Sequence, residues 1–158
     1  MSRGRLRVTV QRAVPCPWLP DTASIRRWAA AAVGSGRGGE ITVRIVGEAE
    51  SAALNETYRR KSGPTNVLAF PIDDVPLVPE EPTPLGDLVI CAPVVEREAA
   101  EQGKTVTAHL AHLVVHGTLH LLGYDHDEEA AARVMEDRER EILAGFGFDD
   151  PYRSERDA

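Results

Sequence analysis

Residues 105–126 read TVTAHLAHLVVHGTLHLLGYDH, and the fold turns on whether this run is a surface helix or a core helix. At about 100° of rotation per residue, His109, His112, His116 and His120 fall within an arc of roughly 80° on one face. Leu110, Val114, Val115, Leu119, Leu121 and Leu122 take the remaining directions. A helix that is apolar nearly all round belongs inside a domain. The spacing therefore predicts a buried helix over 105–122. Its histidine stripe must be satisfied by hydrogen bonds, by a metal or by a wet cleft. Gly123 then ends the helix, because glycine accepts the left-handed conformation of a C-terminal cap.

Outward from this helix, period-2 alternation marks strands at RLRVTVQ (5–11) and EITVRIV (40–46). Two further strands are read at TNVLAFP (65–71) and GDLVICA (86–92). Asp21 can cap a helix through TASIRRWAAAAV, closed by the glycines of GSGRGG. EAESAALNETYRR (48–60) reads as a second helix, with Ala52, Ala53, Leu54 and Tyr58 as its inward positions. VVEREAAEQ and EEAAARVMEDREREILAGF supply helices before and after the histidine segment. The acidic, proline-rich segment 73–84 reads as an exposed loop. The tail DDPYRSERDA reads as surface, with residues 1–4 and 153–158 expected to fray. The expectation is one α+β domain over 1–158, a mixed sheet of about four strands packed with about five helices. The metal site would sit on the buried helix and the loop after it.

Composition narrows the function classes. A chain of 158 residues with 42% hydrophobic and 27% charged residues can bury a core without staples. Its two cysteines, Cys16 and Cys91, lie far apart and in no metal-ligand spacing, which points to a reducing compartment. No signal peptide is visible and no run reaches the ~18 apolar residues of a membrane span, so a cytoplasmic protein is expected. The net charge of −7 excludes nucleic-acid binding over a whole basic face. Any such contact must be local, as at the YRRK of residues 58–61.

All five histidines lie between His109 and His126. His116, His120 and His126 with Gly123 reproduce the spacing of the zinc-peptidase motif H-E-x-x-H-x-x-G-x-x-H, except that Gly117 stands in place of the glutamate. That glutamate is the general base of those peptidases. Histidines at i and i+4 can chelate one ion, and a turn at Gly123 can bring His126 to it. Three imidazoles suit zinc, and also nickel, copper or iron. With no fourth protein ligand in sight, the position left open is that of a catalytic site, where bound water is acidified to a pKa of about 7. A glycine at 117 leaves space beside the metal. His109 and His112 are expected to line the cleft or to orient ligands. Asp125 and Asp127 are read as ligand supports or helix caps.

HGTLHLLGYDH, together with LNETYRRKSGPTNVLAFP and GDLVIC, resembles the YbeY family of bacterial metal-dependent endoribonucleases over about residues 41–152. The resemblance implies a zinc ion held by His116, His120 and His126, with nickel as another divalent candidate. It implies a functional arginine at Arg59, which with His116 forms the expected catalytic pair. It also implies cleavage of single-stranded RNA in maturation of the 3′ end of small-subunit ribosomal RNA, and in ribosome quality control. The implied partners are ribosomal RNA, the small ribosomal subunit and its assembly factors, with no membrane. Physical chemistry agrees, since a guanidinium pairs bidentately with phosphate oxygens where charge develops. Arg60 and Lys61 read as a general phosphate-attracting patch. Three other readings stay open at this point: a metallopeptidase-like hydrolase, a non-catalytic ribosome-assembly factor with a structural metal, and a small-molecule metal hydrolase.

Overall fold

Ile41, Val43 and Ile45 alternate along one strand and have no exposed surface, which makes that strand the spine of the sheet. The structure, a computed structural model, describes residues 5–34, 38–72, 84–125 and 127–152. In chain order the elements are β1 (Leu6–Arg12), α1 (Thr22–Val33), β2 (Gly39–Val46), α2 (Glu48–Arg59), β3 (Val67–Pro71), β4 (Pro84–Cys91), α3 (Ala92–Gln102), α4 (Val106–Leu121) and α5 (Glu129–Gly145). The strands form one mixed sheet in the order β1-β2-β4-β3. β1, β2 and β4 run parallel, and β3 pairs antiparallel with β4 along its outer side. β3 is therefore an edge strand. The described elements form a single α+β domain with the expected numbers of strands and helices.

Parity along the strands builds two cores. Ile41, Val43, Ile45, Leu88 and Ile90 pack with Ile25 and Trp28 of α1, with Leu110, Val114 and Leu119 of α4, and with Met135, Ile142 and Leu143 of α5. Val46, Leu68, Val89 and Cys91 form a smaller cluster with Val94 of α3, against which Leu54 of α2 and Phe70 of β3 pack. α4 is the centre of the larger core, with Leu110, Ala111, Val114, Val115, Thr118 and Leu119 at no exposure. The expected buried helix is borne out. Thr105 caps it by accepting from the Ala108 amide at 3.0 Å. Gly123, at φ +99°, ends it in a Schellman turn, with Tyr124 N–H on the Leu119 carbonyl and Gly123 N–H on that of His120. Asp21 caps α1 as read from the sequence.

Three readings change. In α2 the fully buried residues are Ser51 and Asn55; Leu54 packs inward against the smaller cluster as expected, while Tyr58 is 64% exposed. The reason is the chain that follows: the Ser51 hydroxyl bonds Thr65 through both its backbone N–H and carbonyl, and the Asn55 amide donates to the Gly63 carbonyl. Polar side chains face inward there because loop backbone needs partners. Pro84 is not loop but the first residue of β4; residues 73–83, also read as an exposed loop, lie outside the described residues. Residues 149–152 are not a loose tail, since Pro151 is buried and Tyr152 reaches the interior. The expected fraying of 1–4 and 153–158 lies outside the described residues.

Two glycines set how closely the layers approach. Gly86, at φ +144°, sits where a Cβ would lie 2.4 Å from the Phe70 carbonyl oxygen and 2.7 Å from Leu121 Cδ2. At Gly117 a Cβ would meet Leu88 Cδ2 at 2.8 Å, with Val67 Cγ2 at 3.4 Å. The Cβ direction at Gly117 is therefore occupied by the sheet, and the glycine lets α4 lie against it. Gly86→Ala should destabilise the protein by about 2 kcal/mol or more, through left-handed strain and a backbone clash, as read from the chemical-denaturation midpoint.

Candidate active site

α4 turns His116 and His120 toward the edge of the sheet, where a cleft of about 270 Å³ opens. Its floor is His116, Gly117 and His120, and its wall is Val67, Ala69 and Pro71 of β3 with Thr65 and Asn66 before them. Arg59, the last residue of α2, closes the rim. The His116 and His120 rings stand nearly perpendicular, with centroids 4.8 Å apart. Three of the four expected site residues thus share one cleft. The fourth, His126, lies outside the described residues. The Asp125 carboxylate accepts the Asp127 N–H at 3.0 Å. Neither aspartate caps a helix, because the N-cap of α5 is Glu128.

Behind the cleft stands a residue that the sequence reading missed. Glu139 of α5 has no exposed surface and is met by three donors. His116 Nδ1 lies 2.8 Å from one carboxylate oxygen; His112 Nε2 and the Tyr152 hydroxyl each lie 2.7 Å from the other. Burial pushes this carboxyl up, but the hydrogen bonds and charges of His112 and His116 outweigh it, and the net pKa is lowered to about 2. Burial and the neighbouring Glu139 charge push the Tyr152 phenol up, so it stays a donor. An ionised Glu139 only accepts. Both facing imidazole nitrogens must then carry hydrogens, which fixes the tautomers when the rings are neutral. His112 Nδ1, on the other side of its ring, is buried with no hydrogen-bond partner among the described residues.

His112, His116 and Glu139 bring their ligand atoms within 4.8 Å of one another, and such a group could hold a metal ion. Two ligand atoms on one tetrahedral ion lie roughly 3.4 Å apart. The 2.7 and 2.8 Å contacts within the group are shorter and have the length of hydrogen bonds. In this arrangement Glu139 holds Nδ1 of His116, which leaves Nε2 as the ring nitrogen that could ligate a metal. A carboxylate behind a ligating histidine is the usual partner that sets its orientation and basicity. The donor set therefore fits a divalent metal.

A second acid does similar work at the wall. Glu98 of α3 accepts from Asn66 Nδ2 at 2.9 Å and pairs with His109 Nε2 at 2.8 Å, tying the start of β3 to α4. Burial holds His109 below the usual histidine range, against the pull of Glu98. His109 and His112 are thus engaged with acids, and neither lines the cleft with His116.

Glu139 had a signal in the sequence: Met135, Glu139, Ile142 and Leu143 share the buried stripe of α5 at helical spacing. Within the charged run MEDREREIL it reads as surface. Tyr152 carried no comparable signal. Glu139→Ala should cost about 3 kcal/mol by stranding buried donors, as measured by thermal or chemical unfolding. Its depressed pKa gives a pH signature. Stability from the ionised carboxylate is present above the ordinary value of 4.5 and is lost as pH falls toward about 2. The stability gap between wild type and Glu139→Gln should therefore shrink across that window; a constant gap would contradict the assignment.

Known proteins place the chain in a family. The sequence profile described as endoribonuclease YbeY matches residues 21–147. The endoribonuclease YbeY of Methylococcus capsulatus is 59% identical, over 94% of this chain and 97% of that protein. That of Xanthomonas campestris pv. campestris is 53% identical, over 99% of this chain and all of its own length. Among solved structures, the solution structure of TM1509 from Thermotoga maritima is similar at a TM-score of 0.52 and 25% identity, over 87% of this chain and 86% of that one. Profile, relatives and fold agree with the motif on α4 and the cleft it lines: this chain belongs to the endoribonuclease YbeY family.

Proposed function

We propose that this protein is a zinc-dependent endoribonuclease that cuts single-stranded RNA in maturation of the 3′ end of small-subunit ribosomal RNA and in ribosome quality control. The observation that carries this reading is the convergence of Arg59, His116 and His120 on one cleft in a member of this family. His116, His120 and His126 would hold the ion. When bound, it supplies Lewis acidity that makes water a nucleophile near neutral pH and offsets charge on the phosphate. Glu139 keeps His116 in the tautomer that offers Nε2 to the cleft. Arg59 takes the non-bridging phosphate oxygens and stabilises charge as it develops. Arg60 and Lys61 draw the RNA backbone toward the rim, a local basic patch on a chain of net charge −7.

Gly117 separates this site from the peptidases that share its histidine spacing. A Cβ at 117 would start 2.8 Å from Leu88 Cδ2, so the glutamate base of those enzymes could stand here only if Leu88 shifted. In this reading the RNA substrate is ribosomal, and the protein acts in the cytoplasm with the small subunit and its assembly factors as partners. No helix among the described residues is long and apolar enough to cross a membrane.

Two experiments test the proposal. His116→Ala, His120→Ala and His126→Ala should each lose stoichiometric zinc by elemental analysis, whereas a variant that retained full metal would be removed from the ligand set. Arg59→Glu should keep fold and metal but cut single-stranded ribosomal RNA fragments at least about 100-fold more slowly. Unchanged cleavage would take Arg59 out of the mechanism, and equal activity in the histidine variants would assign the cleavage to a contaminating nuclease.

A further inference from the structure

Tyr58 is a large aromatic side chain on α2 that the structure leaves 64% exposed, immediately before the arginine at the cleft rim. Its ring stands edge-to-face with Phe70 of β3, at 5.2 Å between centroids and 75° between planes. Phe70 is itself packed against the smaller core cluster, so Tyr58 is braced against a fixed partner. Successive residues of a helix point about 100° apart. Arg59 therefore takes the cleft while Tyr58 takes the outer side of the same edge strand, where Phe70 projects opposite to Ala69 of the cleft wall.

The backbone at this point keeps a cation at a conformational cost. Arg60 is the only non-glycine residue with positive φ among the described residues, at +56°. It forms the left-handed C-cap of α2, a position usually given to glycine or asparagine. The loop that follows is pinned by Asn55 on Gly63 and by Ser51 on Thr65. Tyr58, Arg59, Arg60 and Lys61 thus form an aromatic and cationic rim on an ordered turn. A π-face beside consecutive cations suits single-stranded nucleic acid, whose bases stack while its phosphates pair.

We infer that Tyr58, braced by Phe70, is a base-stacking platform for the nucleotide next to the phosphate held by Arg59, so that single-stranded RNA crosses the β3 edge with its backbone in the cleft and a base on the tyrosine. This rests on the endoribonuclease reading above and adds how the substrate is held. Stacking is tolerant of base identity, so the platform selects unpaired RNA without selecting sequence. A paired base, stacked within its own helix, cannot lie on it. Tyr58 acts as a binding residue that touches the base and not the reacting phosphate.

The test measures equilibrium binding of the metal-loaded full chain to two fluorescent probes: a mixed-sequence single-stranded oligoribonucleotide, and an abasic backbone of the same length. Tyr58→Ala should weaken binding of the first by about tenfold and leave the second unchanged. Tyr58→Trp should bind as well as wild type or more tightly. In cleavage assays Tyr58→Ala should raise KM with kcat preserved. Zinc content and unfolding midpoint should match wild type, since the side chain is largely exposed. Equal weakening on both probes, or no weakening on either, overturns the platform. Wild-type protein that binds neither probe overturns the endoribonuclease reading with it, whereas wild type that binds and cleaves beside an unimpaired Tyr58→Ala overturns the platform alone.

Discussion

A carboxylate with no exposed surface survives inside this protein because three donors converge on it. Glu139 reaches across from α5, and the imidazoles of His112 and His116 with the phenol of Tyr152 close around its two oxygens. Removing such a group from water is costly, and only hydrogen bonds and opposing charge make it tolerable. The same contacts hold α5 and the segment after it against α4, and they fix which nitrogen of His116 faces the carboxylate. Orientation of the candidate metal centre and closure of the domain are thus one set of bonds. Arg140, whose guanidinium lies 5.1 Å from the Tyr152 ring centroid and pairs with Asp150, holds the end of that set in place.

The cleft exists because the sheet ends there. Among the described residues β3 runs antiparallel at the edge and pairs on one side only, and α4 lines the cleft beside it. Close approach of α4 to β4 and β3 depends on glycines at 86 and 117. The glycine that replaces the peptidase glutamate is therefore a packing residue. The Cβ direction at 117 points at Leu88, while the residue itself still lines the cleft beside His116 and His120. The histidine spacing survives in both settings because it depends on the geometry of one helix and its C-terminal turn.

The rim is built on different physics from the floor. Its residues are exposed, charged or aromatic, and the loop behind them is tied by Ser51 and Asn55 where apolar residues were expected. Hydrophobic periodicity finds Leu54 on such a helix but misses Ser51 and Asn55, which serve the backbone of a loop. Tyr58 reads as a core residue by that rule and stands in solvent instead.

Much of the fold was legible in residues 105–126. A helix apolar on all sides must be central, its stop at Gly123 is local chemistry, and histidines one turn apart share a face whatever surrounds them. Strand alternation, the caps and the family motif are likewise properties of short stretches of chain. Partners distant in sequence were not legible. Glu139 sits 23 residues from His116, within a charged run that looks solvated, and its role follows only once α5 crosses α4. Asn66 and Glu98, 32 residues apart, meet at one wall of the cleft for the same reason. Periodicity records which way a side chain points from its own helix or strand. What it meets there is set by packing, and packing decided that His112 and His116 share a buried acid and that Gly117 adjoins the sheet.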